Sequence, residues 1–362
     1  MILTRTLEVA TPLELEALRR RVRAPDLELP LGSRVVLLTG LEGPAPCPVV
    51  AWGGDAAVAR TDDVPEALRP VARGPRPFPL GGHVAALGAR TLVLGIVNVT
   101  PDSFSDGGRF ATADEAVRHG LALVEAGADW LDVGGESTRP GAPPVEAAQE
   151  LARVLPVLRG LRSALPNVPL SIDTQKPEVA RLALAAGAAL VNDVSGFADP
   201  KMAEVVAAAG AAACVMHLQG TPQTMQRAPR YEDVVHEVAE ALDASLARGE
   251  SAGVPRERML VDPGIGFGKT LEHNLALLRH LDALRGLRAG GVLLGTSRKS
   301  FLGVLTGQAD PAQRALASAV SVALAAGTRA VDVARVHDVR QTREALAVAE
   351  AVRAACAGGE RW

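Results

Sequence analysis

The stretch Leu182-Ala183-Leu184-Ala185-Ala186-Gly187-Ala188-Ala189-Leu190-Val191-Asn192-Asp193 holds the unit from which most of this chain is built. A helical pattern ends in a glycine, a short run of uninterrupted apolar residues follows, and polar side chains close it. An apolar run without alternation is the pattern of a strand covered on both faces, as in a parallel sheet flanked by helices. The glycine supplies the left-handed stop that a short helix-to-strand loop needs. Ala126-Gly127-Ala128, Ala209-Gly210-Ala211 and Ala326-Gly327-Thr328 stand at equivalent places.

Outward from this unit, from Thr91 onward, such runs recur eight times, at residues 92–97, 130–133, 170–173, 190–192, 212–216, 259–262, 292–295 and 330–333. Amphipathic helical patterns lie between them, for example at 113–126, 145–163 and 231–248. Eight consecutive strand-helix units imply a closed (β/α)8 TIM barrel of the α/β class. Periodicity alone also leaves an open doubly wound sheet standing, but the chain lacks that fold's dinucleotide fingerprint.

A length of 362 residues accommodates such a barrel, typically about 250 residues, with a small appendage. Residues 1–88 read as that appendage, a small N-terminal α/β extension, and 89–362 as the barrel domain. The extension shows a charged helical pattern at 12–22, apolar runs at 35–38 and 49–52, and a Pro/Gly-rich end at 73–82 expected to be a linker. No cluster of convergent polar groups marks a second active site in it.

Hydrophobic residues make up 48% of the chain and aromatic ones only 3%, so the core must be built of Ala, Val and Leu. The net charge of -3 leaves no basic excess for a phosphate backbone, and Arg19, Arg20 and Arg21 form the longest basic run; nucleic acid is not an expected partner. Cys47, Cys214 and Cys356 are scattered without zinc-ligand spacing or a disulfide pattern, which fits a reducing cytoplasm. No apolar stretch is long enough to span a bilayer, and Glu8 and Glu14 interrupt the start where a signal peptide would be apolar, so no membrane partner is expected. The only lysines are Lys176, Lys201, Lys269 and Lys299, each placed against a strong preference for arginine.

Catalytic groups in a barrel come from the C-terminal ends of its strands. Those ends carry Asn98, Asp132 with 136–139 beyond it, Asp173, Asn192 with Asp193, His217, Asp262, 297–300, and Arg335 with His337. Any one of them could simply cap a helix or close a turn. Together, amide and carboxylate groups on neighbouring strands suit a flat heterocycle with an amino group beside ring nitrogens. Arg139, Lys299, Arg335 and His337 suit an anionic or phosphorylated substrate.

These residues lie in longer stretches. Gly95-Ile96-Val97-Asn98-Val99-Thr100-Pro101-Asp102-Ser103-Phe104-Ser105-Asp106-Gly107-Gly108 resembles the first loop of the dihydropteroate synthases. Asp132-Val133-Gly134-Gly135-Glu136-Ser137-Thr138-Arg139-Pro140-Gly141 resembles their second. Ser171-Ile172-Asp173-Thr174, Val191-Asn192-Asp193, Met216-His217, Asp262-Pro263-Gly264-Ile265-Gly266-Phe267-Gly268-Lys269-Thr270, Ser297-Arg298-Lys299-Ser300 and Arg335-Val336-His337 follow in family order. The resemblance spans residues 91–352.

It implies an enzyme that condenses (7,8-dihydropterin-6-yl)methyl diphosphate with 4-aminobenzoate, giving 7,8-dihydropteroate and diphosphate for folate synthesis. By the same resemblance, Asp173, Asn192 and Asp262 hold the pterin edge and Lys299 its carbonyl and ring nitrogen. Arg335 lies over the ring and, with His337 and Asn98, meets the diphosphate. Mg2+ is the implied cofactor, held by Asn98 with help from Asp106. Phe104, Thr138, Arg139, Pro140, Phe267 and Ser300 match the 4-aminobenzoate pocket, and Thr138 also borders the pterin diphosphate. The mobile loops, at 107–110 and 138–144, are expected to be poorly ordered without ligands. A homodimer through barrel helices is the family expectation.

Three other patterns lead elsewhere. The 264–270 stretch approaches a phosphate-binding loop but has Pro263 where its first glycine belongs, and Asp262 would repel a phosphate there. His217 has no second ligand at metal spacing and reads as a packing histidine. A corrinoid-linked pterin methyltransferase would share the acidic and amide set but needs no diphosphate site, so the loops at 103–108 and 138–141 speak against it. They are also intact, unlike those of a pterin-binding homologue that had lost catalysis.

Overall fold

The computed structural model describes residues 3–9, 33–39, 49–52, 75–99, 113–137, 141–221 and 224–357. The expected helix at 12–22 lies outside them. Three strands, β1 (Leu3–Val9), β2 (Ser33–Thr39) and β3 (Val49–Trp52), form an antiparallel sheet in that order. The apolar runs at 35–38 and 49–52 thus become strands.

A hairpin follows, made of β4 (Arg76–Leu80) and β5 (His83–Leu87). The linker expected at 73–82 is therefore corrected, because Phe78, Leu80 and Leu87 are buried to within 1% of fully. They pack with Leu92, Leu94, Trp130, Leu190, Leu260 and Leu293 to stop the bottom of the barrel. The Phe78 and Trp130 rings stack with centroids 6.1 Å apart. Arg76 ties the hairpin down, donating through Nε to the carbonyl of Gly290 at 3.0 Å and pairing with Asp332 at 2.9 Å.

The barrel strands are β6 (Leu92–Asn98), β7 (Trp130–Gly134), β8 (Leu170–Asp173), β9 (Leu190–Asp193), β10 (Ala212–Met216), β11 (Met259–Asp262), β12 (Gly291–Leu294) and β13 (Val333–Val336). All are parallel and close in chain order, with β13 pairing β6. The helices between them are α1 (Ala113–Glu125), α2 (Ala147–Ala164), α3 (Pro177–Ala185), α4 (Pro200–Ala208), α5 (Val234–Ser251), α6 (Leu271–Arg279), α7 (Ser300–Thr306) and α8 (Ala315–Gly327), with α9 (Val339–Ala357) after the last strand. A continuous core of Val, Leu and Ala lies between strands and helices, and Cys214 packs inside the barrel.

Two expectations shift. The glycine stops at Gly127, Gly187 and Gly210 have φ of 108°, 102° and 61°, but Gly327 ends α8 as a helical residue and Arg329 takes the left-handed turn at φ 55°. The eighth strand begins at Val333, three residues later than the start of the apolar run at 330. The cause is Asp332, whose buried carboxylate is occupied by the backbone N–H of Val292 and by Arg76 and Arg285. This register places Arg335 inside the strand, paired with Leu94, instead of beyond its end.

Candidate active site

Strand register delivers Asp173 and Asn192 side by side, since they are paired residues of β8 and β9. Asp132 stands two residues before the end of β7, one layer deeper, and is fully buried. Arg335 crosses from β13 to join them. Its Nε donates to Asp132 Oδ2 at 2.6 Å and its Nη2 to Asp173 Oδ2 at 2.6 Å, while Asn192 Nδ2 donates to Asp132 Oδ2 at 3.0 Å. Charge-assisted bonds of this length are the strong class, and together they fix four side chains from four strands.

Asp262, at the end of β11, accepts from the backbone N–H of Gly264 at 2.7 Å. The chain then turns back through Gly264, Gly266 and Gly268, all at positive φ. A side chain at Gly264 would put its Cβ 2.0 Å from the carbonyl oxygen of His217, so only glycine fits. The turn carries Phe267 beneath Lys299, whose ammonium lies 3.8 Å from the ring centroid.

The loop before Lys299 is fixed by Arg298, which adopts φ 59° and grips Asp338 through Nε at 2.9 Å and Nη2 at 2.6 Å. Next to it Ser297 Oγ accepts from the backbone N–H of His337 at 3.1 Å and lies 3.0 Å from His337 Nδ1.

The charges at this rim act on one another. Burial raises the Asp173 carboxyl above its ordinary value, Arg335 pulls it down and Asp132 pushes it further up. Burial likewise raises Asp262, against the Gly264 amide, Lys299 and Arg335. Burial lowers Lys299 to about 8, with Asp262 opposing and Arg335 adding to the shift. Burial would lower Arg335 too, but Asp132 and Asp173 outweigh it and hold the guanidinium charged.

Asp173, Asn192, Asp262, Lys299 and Arg335 are thus brought to one place, with His337 on its rim. Phe267 lies against Lys299, Ser300 is exposed as the first residue of α7, and Asn98 ends β6 half-buried. Phe104, Asp106, Thr138, Arg139, Pro140 and the stretches 107–110 and 138–140 lie outside the described residues. Among the described residues no cluster of His, Cys, Asp or Glu could hold a metal ion by itself. The donor set fits a magnesium held mainly by substrate phosphate and water, for which one amide oxygen such as that of Asn98 suffices.

The reading from sequence gave Asp132 no role in the site, although it named that residue at a strand end. It also missed two lysine contacts that the rarity of lysine could have signalled. Lys176 pairs with Glu136 and, at 2.5 Å, with the buried Glu150, and Glu136 accepts from the backbone N–H of Val145 at 3.0 Å, so both ends of the second loop are anchored. Lys269 is buried against His217 and the carbonyl of Phe267.

Comparison with known proteins decides what this rim belongs to. Residues 94–337 match the family described as "Pterin binding enzyme". The dihydropteroate synthase of Escherichia coli K12 is 44% identical over 263 residues, 73% of this chain and 92% of that protein. That of Mycobacterium leprae is 50% identical over 265 residues, 71% and 91% respectively. The chain belongs to the dihydropteroate synthase family of pterin-binding enzymes. A crystal structure of the Yersinia pestis dihydropteroate synthase with a sulfonamide drug complex aligns with TM-score 0.73 at 40% identity, covering 77% of this chain and all of that one. The Xanthomonas albilineans dihydropteroate synthase in complex with 7,8-dihydropteroate aligns with TM-score 0.70 at 44% identity, covering 77% and 99%. The family match begins and ends within the barrel, so every dihydropteroate synthase motif quoted above lies on it or at its edge.

Proposed function

We infer that this transferase joins (7,8-dihydropterin-6-yl)methyl diphosphate to 4-aminobenzoate, releasing diphosphate and 7,8-dihydropteroate. The observation that carries the reading is the joint placement of acceptors from Asp173, Asn192 and Asp262 beside cations from Lys299 and Arg335. Carboxylates accept N–H groups of an aminopyrimidinone edge in charge-assisted bonds, and Lys299 donates to its carbonyl and ring nitrogen. Arg335 and His337, with Asn98, face the diphosphate.

The carbon–oxygen bond to diphosphate breaks first, and both electrons leave with the phosphate. The methylene cation that remains is delocalised into the ring, where Asp173 and its neighbours stabilise positive charge. The arylamine nitrogen then forms the new carbon–nitrogen bond and loses a proton to solvent. Arg335 and His337 offset the charge of the leaving group. Mg2+, bound through Asn98 and Asp106, would add positive charge against the same phosphate oxygens. Phe267 and Ser300, with Phe104, Thr138, Arg139 and Pro140, frame the 4-aminobenzoate, and closure of the two loops excludes water that would otherwise capture the cation.

Every site residue lies after residue 88, which supports reading 89–362 as the catalytic domain and 1–88 as an accessory segment whose last part, the hairpin at 76–87, floors the barrel. A homodimer is supported by Leu316, Val320 and Leu324 on α8 and Val348 and Val352 on α9, all exposed and spaced four apart along adjacent helices. Small-molecule substrates and scattered cysteines favour a cytoplasmic setting. No helix among the described residues is long and apolar enough to cross a membrane.

Purified protein mixed with Mg2+, the pterin diphosphate and labelled 4-aminobenzoate should yield labelled dihydropteroate. Failure to form it with both substrates bound would overturn the reading.

A further inference from the structure

Asp132 is a fully buried carboxylate that an account of substrate contacts leaves unused. Two donors, Arg335 Nε at 2.6 Å and Asn192 Nδ2 at 3.0 Å, converge on its Oδ2, while its Oδ1 is buried without a partner among the described residues. Burying a charge is costly, and this one is kept although only one of its two oxygens is bonded. What this one does is constrain its neighbours. An ionised carboxylate can only accept, so the Asn192 amide must turn its NH2 toward Asp132. The two ends of an amide point apart, so the Asn192 oxygen turns away from Asp132. Arg335 is likewise held by Nε, which leaves its Nη2 end to reach Asp173.

We propose that Asp132 is a positioning residue that sets the hydrogen-bonding polarity of the ring pocket, by making Asn192 present its oxygen and by anchoring Arg335. This rests on reading the rim as a pterin site. With the amide so held, Asp173, Asn192 and Asp262 all offer acceptors, a set complementary to a ring edge carrying N–H donors and opposed to one carrying carbonyl oxygens. Recognition of this kind rejects the mismatched ring because acceptor would face acceptor in a buried site.

The test compares 6-hydroxymethylpterin with the pteridine-2,4-dione analogue, in which a carbonyl replaces the 2-amino group, by calorimetry on wild type and Asp132→Asn. An asparagine at 132 can donate or accept, so the Asn192 amide is free to flip. Wild type should prefer the amino ring by about a hundredfold or more. In Asp132→Asn, affinity for the amino ring should fall about tenfold and the preference should shrink with it. A loss of folded protein would lower the number of sites and leave the preference unchanged.

Asn192→Asp gives a second arm if Asp132→Asn does not fold. Its oxygen would serve the ligand as well as that of asparagine, but it would meet Asp132 acceptor to acceptor. Affinity should fall about tenfold near neutral pH and recover in acid, where the pair shares a proton. An undiminished preference in Asp132→Asn, or wild-type affinity in Asn192→Asp, would overturn the proposal while leaving the pterin reading intact. A wild type that bound neither ring would remove both.

Discussion

Lys269 Nζ lies 2.9 Å from Nδ1 of His217 and 2.9 Å from the carbonyl oxygen of Phe267, buried with both. The amine donates to the Phe267 carbonyl and shares a hydrogen bond with the ring of His217, which stays neutral. Burial and the adjacent Lys269 hold the imidazole down at about 3, and burial lowers Lys269 itself to about 7. The pair joins the loop after β10 to the loop after β11, the segment that carries Phe267 under Lys299.

Substituting Lys269→Met keeps the length of the side chain and removes its donors. The carbonyl of Phe267 and Nδ1 of His217 would be left buried and unpaired, at a cost of about 1 to 3 kcal/mol in denaturant titration. KM for 4-aminobenzoate should rise several-fold as Phe267 loosens, while pterin affinity changes little. The sign of the pH effect follows from the depressed lysine. Between about 7 and its unfolded value the unfolded chain holds the extra proton, so this group makes stability rise with pH in that window. The variant should lose that slope, and an unchanged slope would show that the buried amine does not titrate as described.

The barrel was legible because continuous apolar runs ended by polar residues have few alternatives once eight of them occur in series. Asp173, Asn192 and Asp262 were legible for the same reason, since each closes its run. Asp132 was not, because its meaning depends on Arg335, 203 positions away, and on an eighth strand that starts later than its apolar residues do. The floor hairpin was misread because Pro77 and Pro79 suggest a linker. A two-stranded ribbon has an outer edge where a missing N–H costs nothing, and the buried Phe78 between the prolines was the countervailing signal. His217 was legible as a packing histidine, but its partner was not, for lack of any local spacing that pairs it with Lys269.

On its proposed role, Lys299 should set an alkaline limit on pterin capture. Its ammonium form, lowered by burial to about 8, is the form that can donate to a ring carbonyl and attract a diphosphate. As pH rises through that value the proton is lost, and kcat/KM for the pterin diphosphate should fall about tenfold per further pH unit. Lys299→Arg cannot deprotonate in this range, so whatever activity it retains should show no such limb. A limb at the same pH in the arginine variant would assign the titration to another group.

The apolar stripe on α8 and α9 predicts a clean separation between assembly and folding. Leu324 is 70% exposed and Val352 60%, so in an isolated subunit Leu324→Asp with Val352→Asp should change stability by no more than about 0.5 kcal/mol each. In a dimer the same pair would bury two charges against a second copy of the stripe. Sedimentation should show a wild-type dimer and a monomeric double variant with the same circular dichroism. A dimeric double variant would place the interface elsewhere.

Phe78 tests whether the floor serves stability apart from chemistry. Its ring is fully buried at the barrel end remote from Asp173, Asp262 and Lys299, stacked on Trp130, so Phe78→Ala should open a cavity there and cost about 3 to 5 kcal/mol in chemical denaturation. Conserved geometry at the N-terminal face of such a barrel supports folding, whereas the opposite face carries the reaction. At a temperature where the variant remains folded, kcat and both KM values should therefore stay within about twofold of wild type. The two measurements must separate for the argument to hold. A variant that loses turnover while its folded population, followed by circular dichroism, is intact would mean that the floor hairpin transmits strain through β7 to Asp132 and the rim above it.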